Sequence, residues 1–349
     1  MGMVQYYPAL TPASRPICSV CIANYNGATV LNDCLDSVLS QDCGVELEII
    51  VHDDASTDGS LELLRHRYPQ ACVLASDTNV GFCIANNRMV LHSRGDYILL
   101  LNNDASLAPD AISTLLYSSK ELDPQGILTL AQRDWETGEL VDRGCLIDFF
   151  YNPVPNLDPR RRNVAMVIGA CLWIPKDLWN TFRGFPEWFG SIAEDLYLCT
   201  VARLSGHPVR AISSSYYKHR QGASFGGNRA SASGLSSTYR RRRMSERNKT
   251  FVLYICTPAP FMWPLLTLHL VILLLEGFIL STIRFDLRLW REVYLHTPTS
   301  LWLHRQLLRA YRKEIQASKR VPRKKFFECS TLIPRKLVML WRYGLPKLR

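Results

Sequence analysis

Four short apolar runs in the first hundred residues each end abruptly in a polar loop, and this repeat constrains the chain more than any other feature. The runs are 17–23, 47–51, 71–75 and 97–101. Between them, apolar residues recur at helical spacing, as in Leu31, Leu35, Val38 and Leu39, with further helices expected over 61–68 and 83–93. Short, continuously apolar runs bounded by turn residues read as strands buried on both faces. Strands alternating with helices predict an α/β fold with a mostly parallel sheet and right-handed crossovers. The loops after the strands then share one rim, where open α/β sheets bind ligands.

The fourth run ends in Asn102-Asn103-Asp104. A carboxylate flanked by amides at a strand's carboxyl end suits a divalent metal, Mg²⁺ or Mn²⁺, carrying a diphosphate, because these ions keep water and substrate oxygens in their shell. The plainer alternative is that Asp104 only caps the helix opening near Pro109-Asp110. In the loop 53–60, Asp58 and Ser60 read as turn and cap residues, and Asn87 as a structural helix residue. Residues 148–163, with three prolines and Arg160-Arg161-Arg162, read as an exposed flexible loop, and 164–175 as a strand pair.

Charge divides the chain. The net charge is +10, yet residues 284–349 hold 17 Lys/Arg against 4 Asp/Glu, and the remainder holds 24 against 27. A basic block behind an apolar one suggests an anionic membrane surface. No nucleic-acid-binding motif is present, so no nucleic-acid partner is expected. Within the apolar block 251–283, residues 263–283 come close to the length that spans a bilayer, but Glu276 there would be costly in lipid. A spanning helix, an in-plane or re-entrant hairpin and a buried helical pair all fit, and arginines on both sides favour the in-plane or hairpin form. A dimerisation surface is the other reading, so a homo-oligomer is allowed. The eleven cysteines read as buried thiols in a reducing compartment, and residues 1–16 lack an apolar leader segment. Two regions are expected, a catalytic domain over 1–238 and a helical, membrane-associated region over 239–349.

Taken in order, Asn24-Tyr25-Asn26, Asp53 to Ser60, Asn79-Val80-Gly81-Phe82 and Asn102-Asn103-Asp104 resemble the family 2 glycosyltransferases. Later segments extend the likeness: Glu194-Asp195 opening a helix that leads to Arg203 and Gly206, then His219-Arg220-Gln221-Gly222-Ala223-Ser224. The resemblance implies the GT-A fold and a nucleotide-sugar donor. It implies donor contacts from Ala23, Tyr25, Asp54, Gly81, Asn103 and Asp104, with Asp54 at the nucleobase, although Gly81 also reads as a plain turn glycine. It makes Asp195 the catalytic base, Glu194 an acceptor contact, and His219 with Asp104 the metal or diphosphate ligands. The Gly/Ser-rich run 222–237 would cover the donor. Leu196-Tyr197-Leu198 stands where an extra acidic residue is common, and the Gln-x-x-Arg-Trp signature of processive members is absent.

The expected activity is inverting, metal-dependent transfer from a nucleotide sugar to a hydroxyl of a lipid-linked or surface-polysaccharide acceptor. By resemblance the rhamnosyltransferase-like branch is nearest, working at the cytoplasmic face of the plasma membrane. A dehydrogenase is disfavoured because Asn24-Tyr25-Asn26-Gly27 stands where a Gly-x-Gly-x-x-Gly would follow the first strand. A non-catalytic membrane scaffold with a degenerate sugar-nucleotide fold is the alternative.

Overall fold

The computed structural model describes residues 2–220, 230–231, 234–345 and 347–348. It resolves into two compact units that interleave in sequence. The first comprises 1–145, 155–191 and 207–220, and the second 146–154, 192–206 and 221–349. The boundary expected at 238 divides the chain differently, because 192–206 groups with the C-terminal helices. The run 222–237 expected to cover the donor lies largely outside the described residues.

In the first unit the strands and helices run β1 (Val4–Tyr7), β2 (Cys18–Asn24), α1 (Leu31–Leu39), β3 (Leu47–Asp54), α2 (Ser60–Arg67), β4 (Ala71–Ser76), α3 (Phe82–His92) and β5 (Tyr97–Asn102). They continue through β6 (Ala105–Leu107), α4 (Ala111–Lys120), β7 (Ile127–Asp134) and β8 (Leu140–Asp142). The short β9 (Cys145–Asp148) and β10 (Pro153–Pro155), which fall mostly in the second unit, precede β11 (Cys171–Pro175) and α5 (Lys176–Phe182) of the first. After α6 (Glu194–Leu204), which belongs to the second unit, the chain returns as β12 (Val209–His219).

The described residues form a ten-stranded sheet ordered β1-β4-β3-β2-β5-β11-β7-β12-β6, with β8 on β7. Strands β4, β3, β2 and β5 are mutually parallel. Both flanks are antiparallel, β1 against β4 and β11 against β5. The register puts Val20 between Ile49 and Leu99. These β-branched and leucine side chains pack with Leu31, Leu35 and Leu115 into the main core, where burying each such side chain stabilises the fold by roughly 1.5–3 kcal/mol.

Two expectations are corrected. Only 171–175 of the expected strand pair is a strand, and the stretch before it makes isolated bridges such as Cys145 to Met166. The loop after Asp148 is anchored rather than exposed at its start. Asp148 is buried and accepts from the Phe150, Asn152 and Arg335 backbone N–H groups at 2.8–2.9 Å. A buried carboxylate needs such partners, and Asp148 finds one of them 187 residues away, so local composition cannot announce it.

The second unit is built on α7 (Tyr239–Cys256) and α8 (Met262–Arg284), followed by α9 (Leu287–Leu289), a π-helical turn (Trp290–Tyr294), α10 (His296–Leu303), α11 (Arg305–Ala317), α12 (Arg323–Phe327) and α13 (Arg335–Tyr343). Thr238 caps α7 by accepting from the Arg241 N–H at 3.2 Å. Arg312 and Gln316 of α11 close the other end of α7. Arg312 donates to the carbonyls of Tyr254 at 2.6 Å and Thr257 at 2.8 Å, and Gln316 to those of Ile255 and Cys256 at 3.0 Å. Unsatisfied helix carbonyls attract cations.

Glu276, the residue at odds with the apolar run, is partnered. It accepts from Arg242 at 2.5 Å, Lys336 at 2.7 Å and the Tyr294 hydroxyl at 3.1 Å. Buried Glu246 joins the cluster through Lys249 at 2.8 Å and Lys336 at 2.7 Å. Burial works against its charged form, but Lys249, Lys336 and Arg242 hold its carboxyl well below the usual carboxylate range. Gly277 lets this packing close, because a Cβ there would stand 2.2 Å from Tyr294 Cγ. Gly277→Ala is therefore expected to lower stability by about 1–3 kcal/mol through overpacking, checked by denaturant unfolding against Ser281→Ala in the same helix.

Candidate active site

Because β2, β3, β4 and β5 are parallel, Asn24, Asp54, Ser76 and Asn102 end on one rim. The loops there are tied to one another. Asn24 Nδ2 donates to Asp53 Oδ1 at 2.8 Å, and Asn103 Nδ2 donates to Asn24 Oδ1 at 2.7 Å. Asp53 also accepts from the Ser56 hydroxyl at 2.7 Å. Asp58 and Ser60 reach across to the loop after β2, accepting from Ala28 N–H at 2.9 Å and Gly27 N–H at 3.1 Å. Asp58 and Ser60 thus serve the turn role expected of them. The amide of Asn103, expected at the donor, braces the rim.

Asp54 is buried at the end of β3 and holds the next loop in place. Its two oxygens accept from Val80 N–H at 2.7 Å and Gly81 N–H at 2.9 Å. Burial pushes its pKa up, and these two donors oppose that shift. Ala55 follows at φ 62°, an uncommon backbone for alanine that turns the chain away from the strand. Tyr25 is exposed (54 %) and available for stacking, while Ala23 is half-buried with His52 and Asn102 as its strand neighbours. Gly81 opens α3 at φ 90°, and a Cβ there would approach the Gly190 carbonyl at 3.2 Å. The close approach that Gly81 permits is to this backbone.

Asp104 and His219 meet because β6 pairs antiparallel with β12, placing His219 opposite Ala105. His219 Nε2 lies 3.1 Å from Asp104 Oδ1, and both side chains are buried. The Asn102 amide stands 3.4 Å from the same ring nitrogen, and His219 Nδ1 has no hydrogen-bond partner among the described residues. The Asp104 carboxylate oxygen and the His219 Nε2 beside it are a donor set that Mn²⁺ accepts, and Mg²⁺ less readily. Among the described residues no three His, Cys, Asp or Glu side chains cluster to hold an ion by themselves. An ion on Asp104 and His219 would complete its shell with substrate oxygens and water.

Two neighbours were not singled out from sequence. Asp142, at the end of β8, is buried, which lifts its pKa to about 7, with Gly144 N–H and His219 opposing. Arg220 pairs with Asp33 at 2.5 Å and lies 3.9 Å over the Trp135 ring. A hairpin turn at Thr137-Gly138 was the available signal for Asp142, whose proximity to His219 depends on β7–β12 pairing.

In the second unit, Glu194 and Asp195 occupy the first turn of α6, where a helix dipole favours negative charge. The two residues before them, Ile192 and Ala193, have φ of 71° and 68°. For a β-branched residue this is a strained conformation of the kind that collects at functional sites. Asn248 of α7 secures it by donating to the Ile192 carbonyl at 2.7 Å. Glu194 is buried. Burial first, and the neighbouring Asp195 charge second, push its pKa up to about 8, while Arg241 acts in the opposite direction. Asp195 Oδ1 accepts from Leu196 N–H at 2.7 Å. The pair therefore combines a buried carboxyl whose pKa is raised with a second acidic side chain one residue on, at the same helix start.

Residues 19–179 match the profile of Glycosyl transferase family 2. Over 188 residues the chain is 30 % identical to a chondroitin synthase of Escherichia coli, covering 52 % of this chain and 26 % of that protein. The chain thus spans about a quarter of that relative's length. Among solved structures, GalNAc-T7 with UDP, GalNAc and Mn²⁺ superposes with a TM-score of 0.53 at 16 % identity, covering 70 % of this chain and 52 % of that one. A mannosyltransferase from Pyrobaculum calidifontis in complex with GDP-Man and Mn²⁺ gives 0.50 at 17 % identity over 87 % of each chain. At such identities the likeness establishes the fold, which is GT-A. The stretch that matches the Glycosyl transferase family 2 model, residues 19–179, carries Asp54 and Asp104 at the rim of this sheet, and His219 joins them from β12.

Proposed function

We propose that the chain is an inverting glycosyltransferase that moves a sugar from a nucleotide-sugar donor to a hydroxyl acceptor with the help of Mg²⁺ or Mn²⁺. The observation that carries this reading is the Asp104–His219 contact of 3.1 Å at the rim of the sheet, beside the loop that Asp54 organises. Both superposed structures contain Mn²⁺ with a nucleotide or nucleotide sugar. Asp54 and exposed Tyr25 would hold the nucleobase, the one accepting from a ring N–H and the other stacking. Asp104 and His219 would hold the ion, which when bound supplies a positive charge opposite the departing diphosphate, usually a large catalytic contribution. Asp195 would take the acceptor's proton as its oxygen attacks the anomeric carbon, and Glu194 would orient that hydroxyl.

We extend the proposal to a lipid-linked or surface-polysaccharide acceptor at the cytoplasmic face of the membrane, on the strength of the apolar α8 and the basic residues after it. Rhamnose is the donor sugar we place first, by resemblance. The test is a thermal-shift screen of UDP, GDP and dTDP sugars, each with Mn²⁺ and with chelator. A metal-dependent rise in melting temperature with one nucleotide class, followed by transfer from that donor, is expected. Equal melting with every nucleotide, metal present or absent, would overturn the reading.

A further inference from the structure

Helix α8 is built inside out. Its buried positions, Met262, Leu266, His269, Leu273, Gly277 and Leu280, recur every three or four residues and face the rest of the second unit. The polar chemistry lies on this inner side. Thr250 of α7 meets His269 Nε2 at 2.8 Å, and Glu276 is held by Arg242, Tyr294 and Lys336. The outward face carries Trp263, Leu268, Ile272, Leu275, Phe278 and Ile279, all exposed. From 263 to 283 the sole charged residue is Glu276, which its partners draw inward. A helix on a soluble surface arranges its faces the other way round, and an apolar exposed face of this length marks an interaction site.

We infer that α8 lies in the plane of one anionic membrane leaflet, its outward face sunk to the acyl boundary, and does not cross the bilayer. The pairing of α7 with α8 decides against a crossing. Arg242 stands against Glu276 and Thr250 against His269, so the two helices run antiparallel along α8's middle. The α7 stretch held there contains Arg240 to Arg243, Glu246, Arg247 and Lys249. A crossing would carry these charges to the depth of the hydrocarbon, where ionised side chains are strongly disfavoured. An in-plane helix leaves them on the aqueous side.

Charge complementarity identifies the occupant. Cations flank both ends of α8. Arg284 and Arg288 lie at its C-terminal end. At the other end, where the Tyr254 ring meets that of Trp263, Arg309, Arg312 and Lys313 line a cavity of about 330 Å³ with Tyr254. A helix in the plane holds both ends at headgroup level, where cations meet lipid phosphates and tryptophan is at home. Helix α13 adds a second strip. Lys336 ties it to Glu246 and Glu276 at 2.7 Å, while Leu337, Leu340 and Trp341 stay exposed. The residues from 284 onward, 17 Lys/Arg against 4 Asp/Glu, favour an anionic leaflet over a second copy of the same basic surface.

This inference rests on the membrane part of the proposed function and not on its transfer chemistry. The test is flotation of the full chain with vesicles of phosphatidylcholine alone and of phosphatidylcholine with phosphatidylglycerol in equal parts. Preferential flotation with the anionic vesicles and release by alkaline carbonate are expected. Leu275→Glu combined with Phe278→Glu should weaken flotation by about tenfold or more, with melting temperature and nucleotide-diphosphate binding unchanged. Carbonate-resistant insertion would overturn the in-plane placement. Equal flotation of the double variant, or equal flotation on neutral vesicles, would overturn the surface or the anionic partner. A wild-type dimer that the variant converts to monomer, with no vesicle binding by either, would assign the face to a second copy. Vesicle binding without sugar transfer would refute the proposed activity and leave this inference standing.

Discussion

Replacing Asp104 by alanine is expected to abolish the metal-dependent part of nucleoside-diphosphate binding and to lower turnover by roughly 10²–10³-fold, the cost of losing one preorganised electrostatic partner of a developing charge. The expectation follows from the pairing of Asp104 Oδ1 with His219 Nε2 at 3.1 Å, which leaves no third His, Cys, Asp or Glu close enough to substitute among the described residues. Calorimetric titration of UDP and GDP with Mn²⁺ and with chelator reads the effect directly. In wild type the two titrations should differ, and in Asp104→Ala they should coincide. Asp104→Asn serves as the structural control, since it keeps an acceptor facing His219 and removes only the charge. If Asp104→Ala retains the Mn²⁺-dependent increment, the ion is held elsewhere and Asp104 is a cap, as its place before α4 also allows.

Much of the first unit was legible because its signals are local. Strands at 17–23, 47–51, 71–75 and 97–101 appear as Cys18–Asn24, Leu47–Asp54, Ala71–Ser76 and Tyr97–Asn102, each slightly longer at the rim. Buried parallel strands leave continuous apolar runs, and polar residues mark where they stop. The assignment of Asp58 and Ser60 to the turn, and of Asn87 to the helix scaffold, rested on the same local chemistry. Asn87 in fact exchanges two hydrogen bonds with the Phe185 backbone, at 2.9 and 3.0 Å. What could not be read locally was where each polar residue at the rim would find its partner. Asn103 and Asp104 are adjacent in sequence, yet the amide of one goes to Asn24 while the carboxylate of the other goes to a histidine 115 residues away.

The second unit was less legible, for a physical reason that one residue shows. Glu276 reads in sequence as a defect in an apolar helix, because hydropathy counts its charge and not its partners. Arg242 and Lys336, 34 and 60 residues away, make that half-buried carboxylate part of an ion-pair cluster around buried Glu246. Removing one member of such a cluster leaves an unpaired buried charge. The same non-local logic moves α6 out of the first unit. The Arg203 guanidinium donates to the Phe326 carbonyl, and the Arg320 N–H donates to the Leu204 carbonyl at 2.8 Å. A chain cut near Tyr239 would therefore lose the scaffold of the helix that carries Glu194 and Asp195, so the linear division at 238 is a poor place to truncate.

Asp195→Asn is expected to leave donor affinity unchanged and to lower turnover by roughly 10²–10⁴-fold, the range spanned by a positioned general base. Asparagine preserves the shape at the start of α6 and its contact with Leu196 N–H, so the loss isolates proton transfer. The partner substitution sharpens the test. Burial and the Asp195 charge raise the Glu194 pKa to about 8, so near neutrality Glu194 is a proton-bearing carboxyl that glutamine imitates. Glu194→Gln should therefore keep most of the activity at pH 7. As pH rises through 8 the wild type places a second charge beside Asp195, which like-charge repulsion disfavours, and the rate profile should bend there. The profile of Glu194→Gln should lack that bend, because glutamine has no proton to lose. Turnover preserved in Asp195→Asn, measured under single-turnover conditions with donor saturating, would remove Asp195 from the mechanism, and an unaltered bend in Glu194→Gln would assign that titration to another group.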